Sequence, residues 1–345
     1  MELNELMYEL PRSLIASYPA KERTRSRLMV VERKSGRISH GEFHAVGEYL
    51  SSGDLLVLND SRVFPARLLG KKETGGDAGV LLIESFPGDA RLWIALVDAA
   101  KKPRLGSRLQ FSGGLSARVV GIMGRGRFGL RFRCRGDFME ALARVGEPPL
   151  PPYIQRTRRP EASDWERYQT VYASAPGSVA APTAGLHFTE ELFATLEEKG
   201  VARTFLTLHV GPGTFEPVRS EVVDAHHMEG ERYTLSAATA AKIEETKKKR
   251  RRVIAVGSTS TRTLEGIAQR DGKVAADHGV TRLFIRPGYS FRVLDGLITN
   301  FHLPASTPLL LVAAFAGLDL VREAYREAVR MRYRFYSYGD AMLIL

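Results

Sequence analysis

At 345 residues, with 44% hydrophobic and 26% charged side chains, the chain is long enough for about two domains of ~100–200 residues with a sizeable core, and its composition excludes disorder. A single cysteine, Cys134, excludes an internal disulfide and any cysteine-cluster metal site and suits a reducing cytosol. The 50 Lys and Arg against 39 Asp and Glu leave a formal net charge of +11, which favours a polyanionic partner through counterion release. MELNELMYEL has early glutamates and no basic region ahead of an apolar core, so no secretory signal is read there. The longest strongly apolar run, Leu309 to Ala316, falls far short of the ~20 residues a membrane span needs. A cytoplasmic enzyme or binding protein with no membrane partner is expected.

In chain order, the first clear element is the apolar strand DLLVLND, Asp54 to Asp60. From about Arg67 to Leu150 the pattern is all β. GVLLIES, RLWIALV, SRLQF, SARVVGIM and FGLRFRC are short β-rich runs parted by Gly, Pro and Asp turns, with one amphipathic helix at Asp137 to Val145. Such spacing implies a small barrel or sandwich. GEPPLPPYIQR, Gly146 to Arg156, follows as an extended, proline-fixed connector. Beyond it helices and strands alternate: a helix capped by Thr189 and ending at Gly200, the strand VARTFLTLHV, a helix capped by Ser236, the strand VIAVG, a polar turn STSTRT, a helix through Leu264 and Ile267, and the strand TRLFI, Thr281 to Ile285. LITNFHLPASTPLLLVAAFAG then puts Asn300 and His302 in a loop before an apolar helix that Ser306 caps. The fold class predicted is an α/β main domain, residues 1–66 and 151–345, interrupted by an inserted small all-β, barrel-like domain, 67–150.

Chemistry concentrates between Gly177 and Val218. GSVAAPTAGLHFT and TLHVGPGTFEPV each set a histidine among glycines, threonines and a proline. Ser178, Ala180, Ala181, Thr183, Ala184 and Gly185 let backbone amides approach a ligand, and His187 and His209 are expected to titrate near neutral pH. The intervening helix would hold both loops against one pocket. The loops His209–Thr214, Gly257–Arg262 and Pro287–Tyr289 follow predicted strands and are expected at a shared mouth, where open α/β sheets bind ligands. Gly124, Gly126 and Gly129 in GRGRFG match a dinucleotide pattern, but the alternation of Phe128, Leu130, Phe132 and Cys134 after them reads as a hairpin. No Walker loop, HExxH or zinc spacing occurs. Basic clusters stand at Lys101, Lys102 and Arg104, at Arg156, Arg158 and Arg159, and along Lys247 to Arg252, the last partly a helix end whose cations offset the dipole. Near the end of the chain Tyr333, Phe335, Tyr336 and Tyr338 precede Gly339 and Asp340, as core or as a partly exposed stacking surface.

YELPRSLIASYPA, SRLMVVER, LLVLNDSRVFPARL, PPLPPYIQR with ERYQTVYA, GSVAAPTAGLHFT, TLHVGPGTFEPV, VIAVGSTSTRTLE, LFIRPGYSFRVLDGLITNFHLPASTPLLLVAAFAG and YRFYSYGDAMLI together resemble the bacterial S-adenosylmethionine:tRNA ribosyltransferase-isomerases of queuosine biosynthesis, in the family's order and from end to end. Ser61, Ser258, Thr261 and Pro308 depart mildly from the family's usual residues. The resemblance implies an enzyme that transfers and isomerises the ribosyl group of S-adenosylmethionine onto 7-aminomethyl-7-deazaguanine at the wobble position of tRNA, giving epoxyqueuosine with release of adenine and methionine. A methyltransferase and a noncatalytic RNA-binding protein are the rival classes. The reaction asks for a base beside the sulfonium and an acid for adenine. His187 and His209, then His302, are the acid/base candidates, with Asp340 toward the amine or sulfonium. Thr183, Gly185, Gly211, Gly213, Thr214 and Tyr338 are expected at the substrate, and Arg262 with Asn300 at the methionine carboxylate or a tRNA phosphate. Lys101, Lys102, Arg104, Arg156, Arg158 and Arg159 are expected to meet tRNA. No cofactor and no metal is expected, S-adenosylmethionine being consumed, and a monomer is expected.

Overall fold

The computed structural model describes residues 3–124, 126–151, 153–154, 160–215, 223, 226 and 228–345, with only the backbone of 3–4 and 214–215. In chain order the strands and helices begin with β1 (Arg27–Val31), β2 (Ile38–Glu42), β3 (Leu55–Asn59), β4 (Ser61–Val63), β5 (Arg67–Lys72), β6 (Asp77–Phe86), β7 (Asp89–Asp98), β8 (Arg108–Phe111), β9 (Ser116–Gly124), β10 (Arg127–Arg133) and α1 (Phe138–Val145). They continue with α2 (Asp164–Arg167), β11 (Ala175–Ser178), α3 (Glu190–Glu198), β12 (Ala202–Leu208), β13 (Glu231–Leu235), α4 (Ala237–Lys248), β14 (Val253–Val256), α5 (Gly257–Asp271), β15 (Asp277–Thr281), β16 (Gly296–Asn300), α6 (Thr307–Ala316), α7 (Leu318–Arg330) and β17 (Ala341–Ile344).

Nine strands form one mixed sheet in the order β15-β13-β12-β3-β14-β16-β17-β1-β2. The four central strands, β12, β3, β14 and β16, run parallel. Successive side chains of a strand face opposite sides, and here both sides are covered, so the strands read as unbroken apolar runs: LMVV, LLVL, VIAV and AMLI. Met29, Val57, Ala255, Leu297 and Met342 pack with α5, α6 and α7 on one face. Leu28, Leu56, Leu58, Ile254, Ile298 and Leu343 pack with α3 and the turn at Phe43–Tyr49 on the other. Thr189, Ser236 and Ser306 each accept the backbone N–H three residues on, capping α3, α4 and α6 as their sequences predict.

The second layer of organisation is a closed, all-antiparallel barrel, β10-β7-β6-β5-β8-β9, drawn from residues between Arg67 and Arg133. Its interior holds the alternate residues Phe128, Leu130 and Phe132, and Gly124 pairs with Arg127 across the β9–β10 hairpin, as expected for GRGRFG. The chain enters the barrel through β4 and returns through β11, and these two strands pair in parallel with each other.

Three expectations are corrected. STSTRT is no turn: α5 starts at Gly257 directly after β14, and Thr261 and Thr263 satisfy their hydroxyls by donating to the carbonyls four residues back, Gly257 and Thr259, each at 3.0 Å. The strand predicted at Thr281–Ile285 lies upstream, because β13 pairs its five residues with Asp277–Thr281. Asn300 is the last residue of β16, not part of the following loop.

Buried Glu265 of α5 shapes one connection. Its Oε1 accepts the backbone N–H groups of Val293 and Leu294 at 2.9 and 3.1 Å, and its Oε2 accepts those of Arg292 at 2.9 Å and the Tyr289 hydroxyl at 3.3 Å. Replacing Glu265 by Gln substitutes a donor for an acceptor opposite buried donors, and ~2 kcal/mol of stability should be lost. Urea denaturation checks this, and an unchanged midpoint would show that those donors are satisfied without the carboxylate.

Candidate functional site

The parallel strands set the site. Chain order runs from β3 through the barrel to β12 on one side of it, then to β13, and crosses to β14 on the other side, so the carboxyl ends of β3, β12, β14 and β16 surround a switch point of the kind that opens a ligand crevice. A cleft with about 580 Å³ of empty space lies there, bordered by Val210 after β12, Gly257, Ser258 and Thr259 at the start of α5, Thr299, Asn300 and His302 at the end of β16, and Thr183 from the Ala180–Ala184 segment. A smaller side chamber, sharing Ser258, Thr259 and Pro308, continues toward Arg262.

One buried hydrogen-bond chain organises the cleft wall. Thr183 Oγ1 donates to Asn300 Oδ1 at 3.0 Å, and Asn300 Nδ2 faces His187 Nε2 at 3.1 Å. His187 Nδ1 faces Ser26 Oγ at 2.7 Å, and Ser26 Oγ donates to the Arg23 carbonyl at 3.1 Å. Every atom has one consistent role if Asn300 donates to Nε2 and His187 carries its proton on Nδ1. His187 therefore acts on the cleft through Asn300 and borders a different cavity.

The expected neutral-range titration is corrected by burial. Desolvation, with Arg23 and Arg334 nearby, holds His187 down to about 3, and desolvation alone holds His302 at about 3. His209 is lowered too, first by burial and then by Arg232. His302 borders the cleft, its Nε2 2.8 Å from Thr299 Oγ1. His209 lies apart from the cleft lining: its Nδ1 is buried without a partner, packed where a Cβ on Gly177 (φ +135°) would come within 2.9 Å.

The other predicted residues divide plainly. Arg262 bonds buried Glu231 through Nη1 and the Leu283 carbonyl through Nε at 2.9 Å, leaving Nη2 buried without a partner at the side chamber. Thr259, on the border of both spaces, also has an unpartnered buried hydroxyl, and the amino end of α5 carries no side-chain cap. Gly211 donates its N–H to Glu231 Oε1 at 3.2 Å. Gly185 is packing, since a Cβ there would stand 1.9 Å from Tyr172 Oη, and Gly213 faces Glu229. The Thr214 side chain and Arg156, Arg158 and Arg159 lie outside the described residues. Asp340 is turned inward: its Oδ1 accepts the Arg27 N–H at 3.0 Å and its Oδ2 the Arg334 N–H at 2.8 Å and Arg27 Nε at 3.2 Å. That carboxylate shapes the turn that puts Tyr336, at φ +75°, and Ser337 on the cleft. Tyr338 is buried and donates to Asp164 at 3.3 Å. Pro287–Tyr289 is drawn to Glu265 and borders none of these spaces. Lys101, Lys102 and Arg104 are exposed on the β7–β8 connection of the barrel. In the Lys247–Arg252 run, Lys247, Lys248, Lys249 and Arg252 are paired with Asp295, Glu244, Glu245 and Asp54. Ser26, Thr259 and Glu231 were not singled out from sequence; Ser26 and Glu231 matter through partners remote in the chain, and Thr259 through a buried hydroxyl that has none. Among the described residues no group of three or more metal-ligating side chains gathers, and no helix is long and apolar enough to cross a membrane.

The sequence matches the family described as "Queuosine biosynthesis protein" over residues 3–344. The chain belongs to this family. Relatives of the queuosine biosynthesis family named S-adenosylmethionine:tRNA ribosyltransferase-isomerase include one from Pelobacter propionicus, 51% identical over the full length of both chains, and one from Anaeromyxobacter sp., 52% identical over 100% of this chain and 99% of the relative. The crystal structure of S-adenosylmethionine tRNA ribosyltransferase from Thermotoga maritima is 40% identical, with a TM-score of 0.56, covering 99% of this chain and 100% of that one. The α/β sheet with a closed β barrel is thus the fold of a family of transferase-isomerases. Of the mild departures from the family's usual residues, Ser258 and Pro308 border both the cleft and the chamber, whereas Thr261 is buried in α5 and borders neither.

The depressed histidines make stability depend on pH. In the unfolded chain each imidazole takes up a proton near pH 6.5, while folded His187 and His302 stay neutral down to about 3. Stability is therefore complete above that unfolded value and is lost as the pH falls below it, by ~2 kcal/mol per histidine between pH 7 and 5. Denaturant midpoints at the two pH values measure it, and replacing His302 by Gln should flatten the dependence by about half.

Proposed function

We propose that the cleft binds S-adenosylmethionine and that the protein transfers and isomerises its ribosyl group onto 7-aminomethyl-7-deazaguanine at the wobble position of tRNA, forming epoxyqueuosine and releasing adenine and methionine. The observation that carries this reading is the wall Thr183–Asn300–His187–Ser26, whose fixed amide stands at a switch-point crevice beside orphaned donors, in a chain matched to this family over its whole length. Asn300 keeps one amide proton and one lone pair for the substrate, because Thr183 and His187 each use only one of its positions. His187 is a positioning residue, locking the amide's orientation. Arg262 Nη2 and Thr259 Oγ1, at the uncapped amino end of α5, suit the methionine carboxylate.

The sulfonium acidifies the neighbouring ribose carbon, and His302 is the histidine whose ring borders the cleft. Burial keeps it neutral and also weakens it as a base, so the proton it is assigned from that carbon must owe its acidity to the sulfonium. Its depressed pKa makes the transient imidazolium a strong acid, able to pass the same proton to departing adenine. The acceptor amine then attacks the opened sugar, and closure of the carbocycle and epoxide expels methionine. No metal or cofactor enters this account. tRNA is the macromolecular partner, with its anticodon loop offering an unstacked base to the aromatic turn at Tyr336.

Incubation with S-adenosylmethionine and tRNA bearing the deazaguanine precursor should yield adenine and methionine in equal amounts and a nucleoside with the mass of epoxyqueuosine. Release of S-adenosylhomocysteine would overturn the reading in favour of methyl transfer. Asn300→Ala and His187→Ala should each slow single-turnover adenine release by ~10²-fold, and the double variant should be no slower than Asn300→Ala, since the histidine acts through the amide. Additive losses would give His187 a separate role.

A further inference from the structure

Behind the cleft wall lies a second, half-open pocket, bordered by Arg23, Arg167, Ser26, His187, Ser337 and Tyr338. Ser337 borders both this cavity and the cleft, so one turn separates them. The arginines here are held by backbone carbonyls. Arg23 Nη1 donates to Leu186 at 3.1 Å and Nη2 to Glu166 at 3.0 Å. Arg167 Nη1 donates to Lys21 at 2.9 Å and Nη2 to Ala20 at 2.5 Å, and its Nε is buried without a partner. Arg334 stands beside them, its Nη2 bonded to the carbonyl of Tyr18, next to Pro19 of the cavity border.

Carbonyls orient a guanidinium without cancelling its charge. Among the described residues none of the three side chains forms an ion pair: Asp340 takes the backbone N–H of Arg334, and Asp164 takes the Glu161 N–H and the Tyr338 hydroxyl. The charges also act on their surroundings, for Arg23 is lowered by burial and then by Arg167, and Arg23 and Arg334 both depress His187. Elsewhere buried or half-buried arginines are matched, Arg262 with Glu231 and Arg252 with Asp54. A fixed cationic pocket on which Glu166 and Asp340 act only at a distance, without ion pairs, and which keeps spare N–H donors, is complementary to an oxyanion.

We infer that this cavity is a phosphate site for the acceptor RNA, gripping a backbone phosphate that flanks the nucleotide whose base enters the cleft. This rests on the proposed tRNA reaction. The turn Tyr336–Gly339 would then lie between base and phosphate, and Arg23 and Arg167 would hold the phosphate, with Arg334 adding charge. The pocket selects RNA by position and charge rather than by sequence.

The test uses the full-length protein and an anticodon stem-loop carrying 7-aminomethyl-7-deazaguanine, with binding read by fluorescence anisotropy and turnover by adenine release. Arg23→Gln and Arg167→Gln should each weaken stem-loop binding about tenfold and reduce the slope of log affinity against log salt by about 0.7, and Arg167→Gln, outside the cleft-wall chain, should leave the KM for S-adenosylmethionine unchanged. A methylphosphonate at one phosphate flanking the target nucleotide should weaken wild-type binding similarly and add no further loss to Arg167→Gln. That second measurement needs no protein variant, so it stands even if an arginine replacement misfolds. Unchanged wild-type binding with every flanking methylphosphonate, additive losses, or a raised KM for S-adenosylmethionine in place of weaker RNA binding would each overturn the site. Failure of the wild-type protein to convert the stem-loop despite binding it would instead count against the proposed reaction.

Discussion

The amide of Asn300, fixed on both sides, is the constraint around which the site is arranged. An asparagine side chain at a crevice has two orientations that present opposite hydrogen-bonding faces; here Thr183 claims the oxygen and His187 the nitrogen. The choice is passed outward, because Ser26 fixes the imidazole's proton and the Arg23 carbonyl fixes the serine. The end of β16, the Thr183–His187 turn and the approach to β1 are thereby tied at one point. A neutral imidazole is what this requires, since a charged one has no acceptor at Nε2. Burial supplies that neutrality.

Much of this is legible in the sequence. Unbroken apolar runs in the sheet strands, strict alternation at Phe128, Leu130 and Phe132, and the caps Thr189, Ser236 and Ser306 are local signals, and local physics decides them. The failures have a common cause. STSTRT looks like a turn because its hydroxyls can bond backbone anywhere, yet a buried helix gives them carbonyls one turn back. His187 and His302 look like neutral-range proton carriers because a sequence does not show how far water is excluded. Asp340 looks available among aromatics, but three donors from Arg27 and Arg334 occupy it. In each case the deciding partner comes from a distant part of the chain.

Charge tells a similar story at larger scale. The excess of basic residues points correctly to a family acting in tRNA modification, but the dense Lys247–Arg252 run is largely neutralised by carboxylates. Isolated arginines scattered through the sequence, Arg23, Arg167 and Arg334, converge in space with no ion pair among the described residues. Density along the chain and charge left without an ion pair in the fold are different quantities, and the second contributes more to a directed field.

The parallel pairing of β4 with β11 has a consequence for how such a protein can vary. The departing and returning strands leave and rejoin the sheet region side by side, so the whole excursion is closed at its base by a short ladder. The loop-closure cost is then met at that ladder whatever lies beyond it, and grows only slowly with the length of the excursion. A lineage can lengthen, shorten or exchange what hangs from that junction while the geometry at Asn300 stays in register.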